Sequence, residues 1–304
     1  MKGSPIVSSL AGNTQNDYLR RGILGLRVRI RTHISSEMNT KQPFWGAYDD
    51  AVISELYHEN SKHQRSDLRA VDRNIAAMSS PVLQRMTASA YKRYPSARCI
   101  ALAKHANVPT LMSFDEALLT QHSFRDFTGE GILLAHVNKL LQMACGITGW
   151  GGLPSGDRQF LRTASSGGGF CPIEVYVLIR SVQGLPGGIY HYNPVKHCLE
   201  ILREGDVVAS DLTSITFRAE LKKAAVVFGL TGIALKSRLN YGESGYRFML
   251  LKAGHIAQSL LLTANSLNLR ALPIGGFVDD ELDRLLSVDG VEETSLYLVA
   301  VGRR

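Results

Sequence analysis

Two side chains near the middle of the chain could bind a phosphate group. In the sequence HSFRDF at 122–127, Ser123 and Arg125 fall on the same side if the segment is extended. A guanidinium offers an anion a fork of N–H donors, and a serine hydroxyl adds one more. A surface arginine in a turn is the alternative, so this stretch needs support from elsewhere in the chain.

Two glycine-rich stretches could let the backbone approach a flat ligand. Residues 162–172 read RTASSGGGFCP and precede a predicted buried strand. Glycines allow close approach and serines offer donors. Residues 273–277 read PIGGF, in which Gly275 and Gly276 can present N–H groups to the edge of a ring. For this second stretch, a tight turn is the alternative.

Several catalytic motifs are absent from the sequence. The nine histidines are dispersed without an HExxH pair, and the four cysteines form no CxxC pair. The sequence also has no GxSxG elbow, no Walker sequence and no GxGxxG followed by an acid. A hydrolase or a nucleotide kinase therefore lacks support, and no metal site is predicted.

The positive charge is confined to the N-terminal third. The chain has 304 residues and a net charge of +7, with 16 Lys/Arg and 8 Asp/Glu in 1–104 against 18 and 19 in 105–304. We predict a basic, partly helical N-terminal region, 1–104, and a core, 105–304. Nucleic-acid binding is disfavoured. The basic region is a solvated surface or docks an acidic peptide or partner subunit.

The sequence predicts a cytoplasmic protein. Four scattered cysteines are typical of free thiols in a reducing compartment, with two disulfides as the alternative. No secretory signal is apparent. The Arg-rich segment 18–36 is interpreted as a strand, with a transit segment or an amphipathic surface element as alternatives. Polar residues such as Lys252 interrupt the apolar run 248–269, which favours a buried helix over a membrane span.

The spacing of apolar residues predicts long helices and a few buried strands, which is an α+β arrangement. Residues 1–45 are predicted to be irregular, 78–112 short helices and linker, 149–156 a loop, and 271–277 a loop or strand. Predicted helices cover 46–77, 132–146, 218–223, 248–269 and 279–286, with one more starting at Ser113; predicted strands cover 173–180, 225–230, 296–301 and the hairpin 188–203. The proposed core contacts are Ala51, Ile53, Leu56 and Tyr57 in the first helix and Leu133, Val137, Leu140, Leu141 and Ala144 in the second.

Five ordered segments resemble the SagB-type azoline dehydrogenases of the nitroreductase superfamily, over roughly 50–304. They are LYHENSK, RxxxSxGGxxPIEVY, GLPGGIYHYNPVKHCLEIL, YGESGYRFMLLKAGHIAQSLLLTA and ALPIGGF. The resemblance implies an FMN-binding α+β fold, with a mixed or antiparallel sheet flanked by helices. It implies an obligate homodimer with each flavin at the subunit interface. It also implies oxidation of thiazolines or oxazolines in a peptide or carrier-bound substrate to thiazoles or oxazoles.

The resemblance further implies roles for individual residues. His122, Ser123 and Arg125 resemble a phosphate motif in which Gln121 replaces the first basic residue, and Arg303 resembles a late phosphate ligand. Ser165 stands where the family has proline. The residues that match the loop near the flavin are Arg162, Ser166, Gly168 and Pro172, and those that match the segment at the flavin N5 edge are Gly275 and Gly276.

Position 240 departs from the family pattern. The azoline dehydrogenases carry Lys-Tyr, whereas this chain has Asn240 and Tyr241. Aromatising an azoline removes a hydride and a proton, and asparagine can only hydrogen-bond. Three alternatives follow: Tyr241 alone suffices, another base acts, or the substrate differs. Lys236 lies upstream and could reach back.

Three functions follow as hypotheses. The first is an FMN-dependent azoline dehydrogenase, alone or beside a cyclodehydratase. The second is another flavin oxidoreductase on the same fold, such as a desaturase or an NAD(P)H-dependent nitro- or quinone reductase. The third is a non-catalytic subunit of a biosynthetic complex.

Overall fold

A computed structural model describes residues 53–62, 65, 80, 91–104, 108–152, 156, 158–169, 171–205, 208–216 and 218–304. The predicted irregular stretch 1–45, with the segment 18–36, and most of the predicted helix 46–77 lie outside these residues. Residues Ile53–Arg304 form one compact unit.

The described residues contain eleven strands in three sheets. Their bounds are β1 Cys99–Ala101, β2 Ile132–Leu133, β3 Ile147–Gly152, β4 Arg158–Arg162, β5 Ile173–Ile179, β6 Val182–Gln183, β7 Gly188–Asn193, β8 Cys198–Glu204, β9 Val226–Ile233, β10 Leu269–Ile274 and β11 Glu293–Arg303. The central sheet has seven antiparallel strands in the order β1-β8-β7-β5-β9-β11-β10. Two small sheets pair β2 with β6 and β3 with β4.

Helices lie on both faces of this sheet. Their bounds are α1 Ile53–Asn60, α2 Phe114–Thr120, α3 Leu134–Cys145, α4 Val208–Ile215, α5 Ala234–Tyr241, α6 Ser244–Ser266 and α7 Asp279–Leu286. Short 3-10 helices span Gly167–Gly169 and Ala219–Lys223. Among the described residues, no helix combines the length and the apolar character that crossing a membrane requires.

The two faces of the sheet carry separate hydrophobic clusters. Side chains alternate along a strand. Val175 and Val177 of β5 therefore pack under α3 and α6, while Tyr176 and Leu178 pack under α4 and α7. Both faces of β5 are covered, which explains why all seven of its residues are buried. The predicted α+β fold, an antiparallel sheet flanked by helices, is confirmed.

Most predicted elements of the core are present. The Ser113 hydroxyl accepts a hydrogen bond from the Glu116 backbone N–H at 3.2 Å and begins α2. The hairpin of β7 and β8 turns directly after Asn193, and α7 has the predicted bounds of 279–286. Helix α6 begins at Ser244, earlier than predicted, and ends before β10.

Two predictions of irregular structure are wrong. The glycine-rich residues 149–152 belong to β3, where Trp150 pairs with Phe160 of β4 and their ring centroids lie 4.2 Å apart. This cross-strand aromatic pair compensates for glycine's low strand propensity. Strand β1 lies within the predicted linker 78–112, and its three residues are too short for a periodic signal.

Two proposed core contacts are also wrong. Ile53 is 82% exposed, since α1 buries no side chain completely. Leu133 is 39% exposed because it precedes α3, whereas Val137, Leu140, Leu141 and Ala144 are buried as predicted.

The free-thiol interpretation is correct for Cys145 and Cys171 and wrong for the other two cysteines. Cys99 and Cys198 form a disulfide across a separation of 99 residues. Pairing of β1 with β8 places their Cα atoms 6.0 Å apart, which is within disulfide reach. Sequence spacing does not reveal this proximity, because β1 itself was not predicted.

Candidate functional site

The glycine-rich loop and helix α5 meet at one end of the central sheet. In the register, Ile173 at the start of β5 lies opposite Gly232 at the end of β9. The loop 163–172 leads into β5, and α5 follows β9 directly. The segment 275–278 leaves β10 toward the same end, since Ile274 pairs with Leu298 in the N-terminal half of β11. Three of the sequence-predicted stretches are therefore brought to one edge.

Hydrogen bonds within the glycine-rich loop fix its shape. The Ser166 hydroxyl accepts from the Cys171 backbone N–H at 3.1 Å, and the Ser166 carbonyl accepts from Gly169 N–H at 3.3 Å. Gly169 has φ +74°, a conformation that favours glycine. Ser165 is exposed, so its hydroxyl faces outward while Ser166 closes the loop. Gly168 lies in the middle of the 3-10 turn.

Tyr241 packs on this loop. A Cβ atom on Gly167 would lie 3.3 Å from Cε2 of Tyr241, and the Tyr241 ring lies 4.6 Å from that of Phe248. Burial raises the pKa of Tyr241. The phenol therefore keeps its proton at neutral pH.

Among the residues that the structure describes, no lysine lowers the pKa of Tyr241. Asn240 precedes it in α5, and the Asn240 side chain lies outside what the structure describes. Lys236 donates a hydrogen bond to Glu174 at 2.7 Å. The idea that Lys236 reaches back to Tyr241 therefore finds no support in this geometry.

The predicted phosphate segment runs beside the edge strand β10. The Phe124 N–H donates to the Ala271 carbonyl at 3.0 Å, and His122, Ser123 and Arg125 are all exposed. These three side chains are thus available to a ligand. The ring of His122 lies 6.1 Å from that of Phe124.

Sequence reasoning missed Arg270 beside this segment. Its guanidinium lies 5.2 Å from the centroid of the Phe124 ring and contacts the carboxylate and carbonyl of Asp126. The Arg270 Nε atom is buried and has no hydrogen-bond partner. The available signal was an arginine within an otherwise apolar strand, LRALPI.

Arg303 lies at the other end of β10 from the glycines. It pairs with Leu269, and its guanidinium is 3.6 Å from the Glu130 carboxylate. The strand rise places Leu269 about 20 Å from Gly275. Arg303 therefore lies beside residues 128–130, and the Thr128 N–H donates to the Arg303 carbonyl. The phosphate role of Arg303 stays a prediction.

A buried lysine and a half-buried arginine lie near the glycine-rich loop. Lys252 of α6 is 2% exposed and donates to the Cys171 sulfur at 3.5 Å. Burial lowers the pKa of Lys252, and the neighbouring Arg162 lowers it further. The Arg162 Nε atom is buried without a hydrogen-bond partner. Burial raises the pKa of the nearby Cys145 thiol to about 12, which keeps it protonated.

These features fit a flat ligand that carries an anionic group. Gly275 and Gly276 are exposed, and a Cβ on Gly276 would meet no atom within 4 Å, so a ring can approach this backbone. Arg125 and Arg270 supply cations near β10. Among the described residues, no cluster of three or more His, Cys, Asp or Glu side chains could hold a metal ion.

The nitroreductase family model matches residues 118–303, which is more than half of the chain. The chain therefore belongs to the nitroreductase family, and its core is an oxidoreductase of the nitroreductase fold.

Two curated relatives are similar in sequence. A Methanocaldococcus jannaschii protein named as a nitroreductase is 26% identical over 193 residues, covering 64% of this chain and 92% of the relative. The trifolitoxin-processing protein TfxB of Rhizobium leguminosarum bv. trifolii is 23% identical over 253 residues, covering 81% of this chain and 66% of TfxB.

Two solved structures show the same fold. A protein of Anabaena variabilis named as a nitroreductase has a TM-score of 0.63 and 24% identity, covering 82% of this chain and 46% of that one. A chain of the E. coli microcin synthetase McbBCD complex, with truncated pro-MccB17 bound, has a TM-score of 0.51 and 17% identity. The match covers 84% of this chain and 98% of that one. This chain thus spans less than two thirds of the Anabaena protein and of TfxB.

Proposed function

We propose that the protein is an FMN-dependent dehydrogenase that oxidises thiazoline or oxazoline rings in a peptide or carrier-bound substrate to thiazoles or oxazoles. The observation that carries this proposal is the contact of Tyr241 with the glycine-rich loop at Gly167. In this contact Tyr241, at the position where the azoline dehydrogenases carry a tyrosine, lies beside the loop that resembles their flavin segment. The sequence similarity to a trifolitoxin-processing protein supports a peptide substrate.

The residues that would hold FMN divide into two groups. Ser123, Arg125 and His122 are exposed along β10 and would bind the phosphate, with Arg270 behind them. The ring would lie at the other predicted residues, which are Arg162, Ser165, Ser166, Gly168, Gly275 and Gly276. FMN, when bound, would supply the acceptor for the hydride that leaves the azoline ring, and the proton lost from the ring would pass to solvent water.

The chain's own residues hold and orient the substrate. Because burial keeps the Tyr241 phenol protonated, we assign it a hydrogen bond from Oη to the azoline ring. This bond would fix the ring against the glycine-rich loop. Ser165, which is exposed, would face the same space.

We also propose a homodimer. Tyr246, Leu250 and Leu251 of α6 are exposed by 38%, 42% and 53%, and Phe114 and Leu119 of α2, which packs on α6, by 69% and 81%. Exposed apolar side chains along a helix face favour a protein interface. A cyclodehydratase partner and a cytoplasmic location stay predictions.

The test is a reaction with a synthetic thiazoline peptide. Protein reconstituted with FMN should lower the peptide mass by two hydrogens, in the presence of oxygen to reoxidise the flavin. The Tyr241→Phe protein, loaded with the same amount of FMN, is the matched control and should react far more slowly. If flavin is bound and the peptide mass does not change, the proposal is wrong.

A second candidate rests on Asn240, which replaces the family's lysine. An NAD(P)H-dependent nitro- or quinone reductase would need no base at this position. Rapid bleaching of the bound flavin by NADH or NADPH, without thiazoline oxidation, would favour this candidate. A protein that cannot bind FMN at all would favour a non-catalytic subunit.

A further inference from the structure

Buried and half-buried charged groups lie at the same end of the sheet, on the face that α4 and α7 cover. Three are carboxylates and three are bases, so their formal charges balance when all are ionised. The six residues are Glu174, Glu200, Glu293, Lys92, His191 and Lys236.

Glu174 is at the centre of this group and is 2% exposed. Its Oε1 accepts from Lys236 Nζ at 2.7 Å and from the Lys92 backbone N–H at 3.2 Å. Its Oε2 lies 3.2 Å from Nε2 of His191, whose Nδ1 is 2.9 Å from Glu200. Both oxygens of Glu174 therefore have partners.

Glu293 fixes the other side of the group. Its Oε1 accepts from Thr231 at 2.6 Å and from Tyr176 at 2.9 Å, and its Oε2 accepts from Lys92 Nζ at 2.7 Å. Lys92 thus links Glu293 to Glu174, and β5, β9 and β11 are tied together at this end of the sheet.

The positive charges around Glu174 outweigh the desolvation cost of its buried carboxylate. Burial alone would raise its pKa, but Lys236 and His191 hold it at about 2. Glu174 is therefore an anion at neutral pH, and the Lys236 ammonium is its most important counter-charge.

Helix α5 has few other contacts to the sheet. Ser237 is its only described side chain that is buried, whereas Leu235 and Leu239 are exposed by 59% and 38%. Ser237 lies against Gly245 of α6, where a Cβ would come within 2.6 Å of the Ser237 carbonyl oxygen. The Lys236–Glu174 ion pair is thus the polar link between α5 and β5.

We propose that the Lys236–Glu174 pair sets the rotation of α5 and so positions Tyr241 against Gly167. Tyr241 lies five residues beyond Lys236, which is about 7.5 Å along the helix and about 140° around it. When Lys236 points to Glu174, Tyr241 must point elsewhere, and it faces the glycine-rich loop. Lys236 is then a positioning residue that acts through Tyr241, and this role in turnover rests on the proposed function.

An ion pair suits this role because its geometry is specific. A buried ion pair adds little stability over apolar side chains of the same volume, but in some proteins it selects one arrangement. A leucine at position 236 could pack in several rotations. The ammonium of Lys236 has one favourable position, beside Glu174.

The experiment compares three variants of the FMN-loaded full chain. Lys236→Met removes the charge and Lys236→Arg keeps it. Arg238→Met is the control, because Arg238 also lies on α5 and its ion pair with Glu243 is exposed. Hydrogen exchange measured by mass spectrometry should be about tenfold faster in 234–241 for Lys236→Met. It should stay near the wild-type rate for Lys236→Arg and Arg238→Met.

Turnover of a thiazoline peptide then tests the link to Tyr241. Lys236→Met should lower kcat about 10–100-fold while FMN binding is retained. In a Tyr241→Phe background the same substitution should have almost no effect, since there is no phenol left to position. Equal losses in both backgrounds would overturn the role in turnover.

The two measurements separate the inference from the proposed function. Unchanged hydrogen exchange in Lys236→Met overturns the positioning role, whatever the substrate is. If wild-type protein does not oxidise thiazolines but exchange in α5 still depends on the charge at 236, the proposed function is wrong and the positioning of α5 stands.

Discussion

The ring of Tyr241 lies against Gly167, so close that a Cβ atom on the glycine would be 3.3 Å from Cε2 of the tyrosine. The last residue of α5 and the 3-10 turn of the glycine-rich loop therefore form one surface. These residues are separated by more than seventy positions in sequence, and their contact joins two stretches that sequence reasoning treated separately.

Replacing Tyr241 by phenylalanine should spare FMN binding and lower turnover by about 10²–10⁴-fold. The ring and its contact with Gly167 remain, while the proton that burial keeps on the phenol is lost. Turnover per bound flavin is the measurement. Tyr190→Phe is the control and should leave turnover unchanged. It removes a hydroxyl of β7 that donates a hydrogen bond to the Pro186 carbonyl. Equal turnover in both variants would clear Tyr241 of a catalytic role.

Arg125→Ala should weaken FMN binding by roughly 1.5–3 kcal/mol, since a hydrogen bond to a charged phosphate is lost. Fluorescence titration of apoprotein with FMN measures this change. Arg218→Ala is the matched control, because Arg218 pairs only weakly with Glu220 at 3.7 Å and should not affect affinity. An affinity for FMN that matches the wild type would remove Arg125 from the site.

Leu251→Asp should convert the proposed dimer into a monomer. A carboxylate placed on an apolar interface has no partner and must be desolvated. Sedimentation velocity measures the association state, and FMN retention should fall in parallel if the flavin lies between subunits. Val291→Asp, at a similarly exposed apolar position on the loop before β11, should stay dimeric. A wild-type protein that is already monomeric would contradict the dimer.

The stability contributed by His191 should fall as the pH rises through neutrality. Burial would lower the pKa of His191, but its hydrogen bonds to Glu174 and Glu200 raise it above 6.5. A group whose pKa is higher in the folded than in the unfolded protein stabilises the fold below pH 6.5. This contribution is lost as the pH rises through the pKa of the folded state. Chemical unfolding of wild type and His191→Gln at several pH values measures the difference. A difference that does not shrink between pH 6 and about 9 would contradict this prediction.

Lys252→Met should raise the melting temperature at neutral pH. Burial lowers the pKa of Lys252, so protonation opposes folding, and wild-type stability should rise with pH toward the ordinary lysine value. Each kcal/mol gained corresponds to about 2–4 °C. Thermal unfolding of the apoprotein should show a higher, flatter pH profile for the variant, while Lys222→Met, on an exposed lysine, should match the wild type. A lower melting temperature would show that the buried ammonium is stabilising.

Local patterns predicted the core elements because their signals lie in neighbouring residues. The apolar run IEVYVLI becomes β5, and Ser113 begins α2 by bonding a backbone N–H three residues away. Strand β1 was missed because three residues carry no periodicity, and only pairing with β8 makes them a strand. Strand β3 was taken for a loop because glycine has a low strand propensity and the sequence does not show that β4 pairs with it.

The candidate site was predicted in part. The glycine-rich loop and Gly275–Gly276 are identified by composition and by resemblance to a family, and the structure brings them to one end of the sheet. Arg270 was not found, because a single arginine in a strand is significant only once Phe124 is seen beside it.

The sequence by itself determined the family, the mainly apolar run that becomes β5 and the residue types that could bind a flavin, because each depends on local order along the chain. Only the tertiary structure decided which charges are paired. Glu174 and Lys236 are sixty-two positions apart, as are Thr231 and Glu293, and no spacing rule joins them. Charges are attracted or repelled through space, so the pKa values and the orientation of α5 depend on the folded arrangement.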